Sequence, residues 1–241
     1  MAGHSKWANI KRQKEKTDAK RGKIFSRISK EIINAIKLGG STDPKINNRL
    51  RIAIQHAKAA NFPSDNIDRV IKKASASDQE LYHEFQYELY GHEGVGIILD
   101  IMTNNKNRIA SEIRVATNKR GGSVAVPGAV SFNFERKGVI LFTKNHALEE
   151  ELFTTAIDAG ADDFSSDEES FIILTSPQNF YDVKTAVENL GLQADSATIE
   201  MIPKSFIEVS QEGREANLAL LDWLESIDDV DALYHNMKIP E

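Results

Sequence analysis

The sequence predicts a multidomain α+β protein with three parts: an N-terminal three-helix bundle, a discontinuous α+β domain and an inserted ferredoxin-like domain. Apolar residues recur at helical spacing up to about residue 73, and beyond residue 80 they alternate with polar residues, as in strands. The elements predicted over 138–203 follow the order β-α-β-β-α-β, which is the ferredoxin-like pattern. A β-α-β tail after residue 203 needs an existing sheet to join. We therefore predict domains at 1–78, at 79–134 with 204–241, and at 135–203.

The bundle is predicted from three amphipathic segments. The first helix starts near Thr17 and ends at Gly39-Gly40, because glycine pairs interrupt helices. A second helix is predicted over about 45–60. Ser64 is a suitable N-cap for a third helix, and the small polar residues 74–80 predict a linker. Short helices with short connections form a bundle.

The rest of the chain combines strands and helices. Alternating apolar residues at 85–89 and 95–101, with Gly91-His92-Glu93-Gly94 between them, predict a β-hairpin. A helix is predicted over 105–119, followed by strands at 123–126 and 129–134. The inserted domain is predicted to have strands at 139–142, 161–165, 171–174 and 193–202, with helices at 148–159 and 178–190. The tail is predicted as a strand at 206–209, a helix at 214–225 and a strand at 230–234.

The charge is sorted along the chain. Residues 1–76 contain 18 Lys and Arg against 6 Asp and Glu, a net charge of +12. Residues 77–241 contain 12 Lys and Arg against 30 Asp and Glu, a net charge of −18. Such asymmetry is typical of a polyanion-binding segment joined to an acidic body. Phosphate groups would be repelled by that body, which favours one docking orientation.

The strongest functional signal is a row of basic residues on the first predicted helix, here called the basic stripe. Lys16, Lys20, Lys23, Arg27 and Lys30 are spaced 4, 3, 4 and 3 residues apart, so they lie within one narrow arc beside the apolar face. We expect the stripe to remain exposed and to bind phosphates. The alternative is an ordinary solvated helix face. The predicted nucleic-acid-binding residues are Lys6, Trp7, Lys11, Arg12, Lys14, Lys16, Lys20, Arg21, Lys23, Arg27, Lys30, Lys72 and Lys73.

A second polar cluster opens the helix predicted over 105–119, and it has two interpretations. It consists of Asn104, Asn105, Asn107 and Arg108. An asparagine at this position can cap the helix. The same cluster can make a second contact with phosphates.

No catalytic or metal-binding site is recognisable in the sequence. The chain has no cysteine, which excludes thiolate metal sites and favours a reducing, cytoplasmic location. No two of the six histidines are four residues apart, so zinc binding is not predicted. Gly91, Gly94 and Gly96 join two strands, whereas a phosphate loop leads into a helix. No membrane span or export signal is apparent. We expect no enzymatic activity, cofactor, metal or small-molecule substrate.

Several motifs, in order along nearly the whole chain, resemble the YebC/PmpR family. They are AGHSKWANIKRQK, DAKRGKIFSR, NFPSDNIDRVIKK, YELYGHEGVGIILDIMTNNKNR, SFNFERKG, IEMIPKS and DDVDALYHN. The resemblance implies the three domains predicted above and no enzymatic activity or cofactor. It implies a probable transcriptional regulator that binds DNA. The family also includes translational activators, among them the mitochondrial activator of cytochrome oxidase synthesis, and bacterial members linked to ribosomes stalled on proline-rich sequences.

Two functions remain in competition. The resemblance favours a DNA-binding transcriptional regulator, but the connection between the first two helices is longer than the turn of a helix-turn-helix motif. The alternative is a ribosome-associated translation factor that contacts RNA. A basic arm with Trp7 and an acidic far end suit a large RNA surface recognised by its shape. A hydrolase is a remote third possibility because no nucleophile and base are marked. The sequence predicts no oligomeric state.

Overall fold

The computed structural model describes residue 7 and residues 17–76, 81–144 and 148–239, with side chains from residue 22 to 75 in the first of these ranges. The described residues form two compact units. One contains residues 134–202 together with Trp7, and the other contains the described residues of 17–133 and 203–239. The architecture is α+β, as predicted, and it contains two four-stranded sheets. Within the described ranges, no helix has the length and hydropathy that a membrane crossing requires.

The N-terminal helices form the predicted bundle. They are α1 (Thr17–Gly39), α2 (Asn48–Ala59) and α3 (Ser64–Ala76). A core of buried residues holds them together, including Ile28, Ile32, Leu50, Phe62 and Ile67. The helix α3 continues through Ala76, so the first three residues of the predicted linker are helical instead. Residues 77–80 lie outside the described ranges.

The first sheet belongs to the same unit as the bundle. Its strands are β1 (His83–Tyr90), β2 (Gly96–Thr103), β3 (Ser123–Val124) and β8 (Val230–His235), in the order β3-β1-β2-β8. The helices α4 (Lys106–Arg120) and α7 (Gln211–Ser226) pack on one face through Leu99, Ile113 and Leu220, which are fully buried. The side chains of the even-numbered residues of β1 and β2 lie on the opposite face of the sheet.

The second sheet forms the ferredoxin-like unit. Its strands are β4 (Phe134–Thr143), β5 (Ala161–Ser166), β6 (Ser170–Thr175) and β7 (Ser196–Pro203). The helices are α5 (Glu149–Asp158) and α6 (Phe180–Glu188). The strand order β5-β6-β4-β7 confirms the predicted β-α-β-β-α-β arrangement.

Two predicted strands are wrong. Residues 129–133 form a turn and a short 3₁₀ helix, because the Glu88 carboxylate accepts the N–H groups of Gly128, Val130 and Ser131 at 2.6–2.8 Å. These amides therefore cannot pair with a strand. Residues 206–209 contribute only an isolated parallel bridge, at Ile207.

The two chain segments that lead into and out of the inserted unit are hydrogen-bonded to each other, and we call this connection the stem. The Lys204 N–H donates to the Asn133 carbonyl at 2.8 Å. The Asn133 side-chain amide donates to the Ser205 carbonyl at 3.1 Å, and the Ser205 hydroxyl donates to the Asn133 side-chain oxygen at 2.8 Å. The chain therefore leaves the first sheet and returns to it at adjacent residues.

Candidate nucleic-acid interface

The expectation that the basic stripe is exposed is wrong for the three of its side chains that the structure describes. The Lys23 ammonium donates to the carbonyls of Ile227 at 3.1 Å and Val230 at 2.8 Å, and also to that of Glu225. The carbonyls of Glu225 and Ile227 lie at the end of α7, where a helix leaves carbonyls without intrahelical partners and carries partial negative charge, and Val230 begins β8. Burial lowers the pKa of Lys23, against the raising effect of Glu225 and nearby aspartates. Lys23 therefore caps α7.

Lys30 occupies a buried ion pair on the same sheet. Its ammonium lies 3.1 Å from an oxygen of Asp231 and donates to the Met102 carbonyl at 2.9 Å. The side chains of Lys30 and Asp231 are only 12% and 3% exposed. Burial raises the pKa of Asp231 to about 6, although the Lys30 cation acts in the opposite direction. This lysine therefore neutralises the acidic sheet rather than facing solvent.

Arg27 lies between three carboxylates, one on α1 and two on the sheet. Its guanidinium lies 3.1 Å from Glu31, 3.1 Å from Glu84 and 3.5 Å from Asp100. Burial acts to lower the pKa of Arg27, but the Glu31 and Asp100 charges outweigh it and hold that pKa above its ordinary value. The bundle thus docks on the sheet through charged groups. This contact was missed because the partners lie far away in sequence.

Among the described residues, the exposed positive charge of the bundle is divided between α2, α3 and the connection before α2. The buried residues of α2, Leu50, Ala53 and Ala57, face the core. The opposite face is exposed and carries Asn48, Arg51, Ile52, Gln55 and Lys58. We call this set the α2 face. Lys45, Arg49, Arg69, Lys72 and Lys73 are also exposed, so Lys72 and Lys73 remain candidates from the predicted set.

The structure describes the other predicted binding residues to different extents. Trp7 is half-buried and already makes an interaction within the protein. Only the backbone of Lys20 and Arg21 is described, as part of α1. The remaining predicted positions lie outside the described residues: Lys6, Lys11, Arg12, Lys14 and Lys16.

The polar cluster before α4 is a helix cap. The Asn105 side chain accepts the Arg108 N–H at 3.0 Å, as an N-cap residue does. The Arg108 guanidinium donates to Asp229 at 2.6 Å and to the Asn104 side chain at 3.3 Å. Arg108 nevertheless remains 47% exposed. The capping interpretation therefore holds for Asn105, while the phosphate-contact interpretation stays a prediction.

The described residues offer no metal centre. No group of three or more His, Asp or Glu side chains among them is arranged to hold a metal ion. The glycines between β1 and β2 form a tight turn around a 3₁₀ segment, His92–Gly94, as predicted.

Two family models together match nearly the whole chain. Residues 5–77 match the family model of the TACO1/YebC protein N-terminal domain, and residues 82–237 match that of the TACO1/YebC second and third domain. A probable transcriptional regulatory protein of Protochlamydia amoebophila is 62% identical over 241 residues, which cover 100% of this chain and 98% of the relative. One from Chlamydia pneumoniae is 51% identical, covering 99% and 100%. The crystal structure of a conserved hypothetical protein from Aquifex aeolicus is 42% identical, covers 93% of each chain and has a TM-score of 0.76.

Proposed function

Because the chain belongs to the TACO1/YebC family, we propose that it is a non-enzymatic regulator that binds DNA through the exposed cations of its helical bundle. The relatives from Protochlamydia amoebophila and Chlamydia pneumoniae are named probable transcriptional regulatory proteins. The observation that carries the proposal is the α2 face, where Arg51 and Lys58 stand exposed without an acidic residue on the same face. Cations of this kind bind phosphates and release counterions. On the same face the Arg51 guanidinium donates to the side-chain oxygen of Asn48, and the Gln55 amide can hydrogen-bond base edges.

The docking of α1 on the sheet reduces the number of cations that can bind phosphates. Lys23, Arg27 and Lys30 are occupied by carbonyls and carboxylates of the sheet, so they contribute little to phosphate binding in the folded protein. We assign the contact to the α2 face, together with Lys72 and Lys73 at the end of α3. An isolated bundle would expose the three docked cations, and its affinity would overstate that of the full chain.

The alternative target is RNA on the ribosome, and one observation favours it. The connection between α1 and α2 spans residues 40–47, which is longer than the three or four residues of a helix-turn-helix turn. A basic helix face on such a bundle suits an RNA surface recognised by its shape. In this alternative the protein is a translation factor that relieves stalling at proline-rich sequences.

Fluorescence anisotropy with the full-length protein tests the contact. The variant Arg51→Gln/Lys58→Gln should bind a 20-base-pair DNA duplex more weakly, and the slope of log affinity against log salt should fall by about 1.8, at roughly 0.9 for each phosphate contact. The control Arg136→Gln/Lys204→Gln removes the same charges from exposed positions outside the bundle. An unchanged slope in the first variant, or an equal loss in the control, would refute the assignment.

The same assay separates the two targets. DNA as the target predicts tighter binding of the duplex than of a structured ribosomal RNA fragment at physiological salt. Tighter binding of the RNA by the wild type, with the same loss in the α2 variant, would transfer the function to the ribosome. The non-enzymatic part is tested by incubating the protein with ATP, DNA and RNA. Product formation that increases with protein concentration would refute that part.

A further inference from the structure

The bundle contacts the first sheet through polar side chains on one face of α1. Lys23, Arg27 and Lys30 bind carbonyls and carboxylates of the sheet and of the end of α7. One turn further along, the Asn34 side chain donates to the Tyr82 carbonyl at 2.7 Å and accepts the Tyr82 N–H at 2.9 Å. These four α1 residues are spaced 4, 3 and 4 residues apart, so they share one face of the helix. The contact thus includes a row of four polar side chains.

The apolar cores of the bundle and of the first sheet are separate. Among the described residues, no buried residue belongs to both clusters. Ile98 and Met102 are buried on the sheet face toward the bundle, but they are part of neither cluster. The chain passes from the bundle to the sheet once, through residues 77–82. Domains whose interface lacks a shared hydrophobic core commonly move relative to each other.

Releasing the bundle as a whole would return both partners of each ion pair to water. The attraction within a buried pair is largely offset by the hydration that its two charges lose. The pair of Arg27 and Glu84 lies partly in solvent, since the Glu84 side chain is 61% exposed, and such pairs contribute little to stability. Release of the whole face therefore costs less than removal of one partner, which leaves the other charge buried alone.

The sheet offers the α1 cations the same kind of group that a phosphate offers, namely negatively charged oxygens. Three carboxylates of the sheet supply them: Glu84, Asp100 and Asp231. A DNA duplex carries one negative charge for roughly every 1.7 Å of its axis, and a cation that binds it also releases counterions. The phosphate backbone of a nucleic acid can therefore compete with the sheet for these cations.

We propose that the bundle has two positions, docked on the sheet and released from it, and that a nucleic acid favours release by binding Lys23, Arg27 and Lys30 in place of the sheet. In the docked position the α2 face and the end of α3 are available to phosphates. In the released position the α1 cations are added to them. The sheet is thus an internal competitor that weakens binding. The inference rests on the proposed function in taking a nucleic acid, DNA or RNA, as the ligand.

Spin labels on the full-length chain can distinguish the two positions, because the chain has no native cysteine. Thr42→Cys lies in the exposed connection between α1 and α2, and Ser111→Cys lies on the exposed side of α4. Double electron–electron resonance should give mainly one distance between the two labels without nucleic acid. Adding a 20-base-pair DNA duplex should produce a second distance, which should disappear when added salt dissociates the duplex. The structured ribosomal RNA fragment replaces the duplex if the wild type binds that RNA more tightly.

Weakening the docked contact should increase the affinity for nucleic acid. The variant Glu84→Gln/Asp100→Asn removes two carboxylates that hold Arg27, so the released position becomes more populated and the affinity should rise about fivefold. The control Glu150→Gln/Asp158→Asn removes two exposed carboxylates from the inserted unit, and its affinity should stay within twofold of the wild type. The difference between the two variants separates release of the bundle from the general effect of removing negative charge.

A third variant should hold the bundle in the docked position. Lys30→Met/Asp231→Leu replaces the buried ion pair by an apolar contact that phosphates do not displace, so its labelled form should keep the docked distance at nucleic-acid concentrations that release the wild type. Binding by the wild type with an unchanged distance overturns the inference and leaves the α2 contact intact. Equal affinities of the two carboxylate variants, or release of the third variant as readily as the wild type, also overturn it. Absence of any binding by the wild type overturns the proposed function, and this inference with it.

Discussion

The buried pair of Lys30 and Asp231 gives the most direct test of the docking of the bundle. The substitution Lys30→Met keeps the alkyl stem but removes the charge. It leaves Asp231, which is 3% exposed, without its cation, and it removes the donor to the Met102 carbonyl. Removing one partner of a buried pair typically lowers the free energy of unfolding by about 3–5 kcal/mol. We expect a loss in this range at pH 8.

The loss should depend on pH in a defined direction. The pKa of Asp231 is about 6 in the folded protein, which is higher than in an unfolded chain, so the folded state binds this proton more tightly. Removing the Lys30 cation should raise that pKa further. Below pH 6 the carboxyl is protonated and needs no cation. The destabilisation by Lys30→Met should therefore be larger at pH 8 than at pH 5.

Urea denaturation followed by Trp223 emission, in a Trp7→Phe background, measures this effect. The double variant Lys30→Met/Asp231→Leu should recover most of the stability at pH 8, because replacing both partners of a buried pair by apolar groups is often neutral. A loss below 1 kcal/mol, a loss independent of pH, or a double variant no more stable than Lys30→Met would refute the reasoning.

Three further substitutions test other contacts. Glu88→Gln should lower the free energy of unfolding by about 2–4 kcal/mol at pH 7 in urea melts, because the carboxylate accepts three amides of the 128–131 turn. Burial opposes the lowered pKa of Glu88, but these hydrogen bonds dominate, so its contribution should be lost as the pH falls through that pKa. Gly39→Ala should cost about 2–3 kcal/mol in the same melts, because a Cβ atom would lie 2.3 Å from the side chain of Asn47, the N-cap of α2. Lys23→Met should cost about 1–3 kcal/mol, since the end of α7 loses its donor, and an unchanged thermal midpoint would contradict that role.

Most of the fold follows from local patterns in the sequence. Periodicity alone predicts the three bundle helices, the hairpin of β1 and β2, and the order of elements in the ferredoxin-like unit. The two wrong strands have physical explanations. The 129–133 segment is alternating enough to resemble a strand, but its amides are captured by Glu88, which lies about 40 residues earlier in the chain. Such a distant partner leaves no trace in the local sequence.

The basic stripe was mispredicted for the same reason. Its spacing correctly places Lys23, Arg27 and Lys30 on one face of α1, beside the apolar face. Periodicity shows which residues share a face, but it does not show what that face contacts. Apart from Glu31, which lies on α1 itself, the carbonyls and carboxylates that receive these cations lie 57 to 207 residues away.

The stem formed by Asn133, Lys204 and Ser205 makes the ferredoxin-like unit separable from its host. Because the two chain crossings are joined by hydrogen bonds, removing residues 134–203 leaves ends that a short flexible connection can close. The first sheet would keep all four strands and both covering helices, since none of them comes from the excised segment. Such a minimal version would also shed a net charge of −10, because residues 134–203 contain 4 Lys and Arg against 14 Asp and Glu. Deleting residues 134–203 can thus separate the function of the acidic insert from that of the bundle and the first sheet.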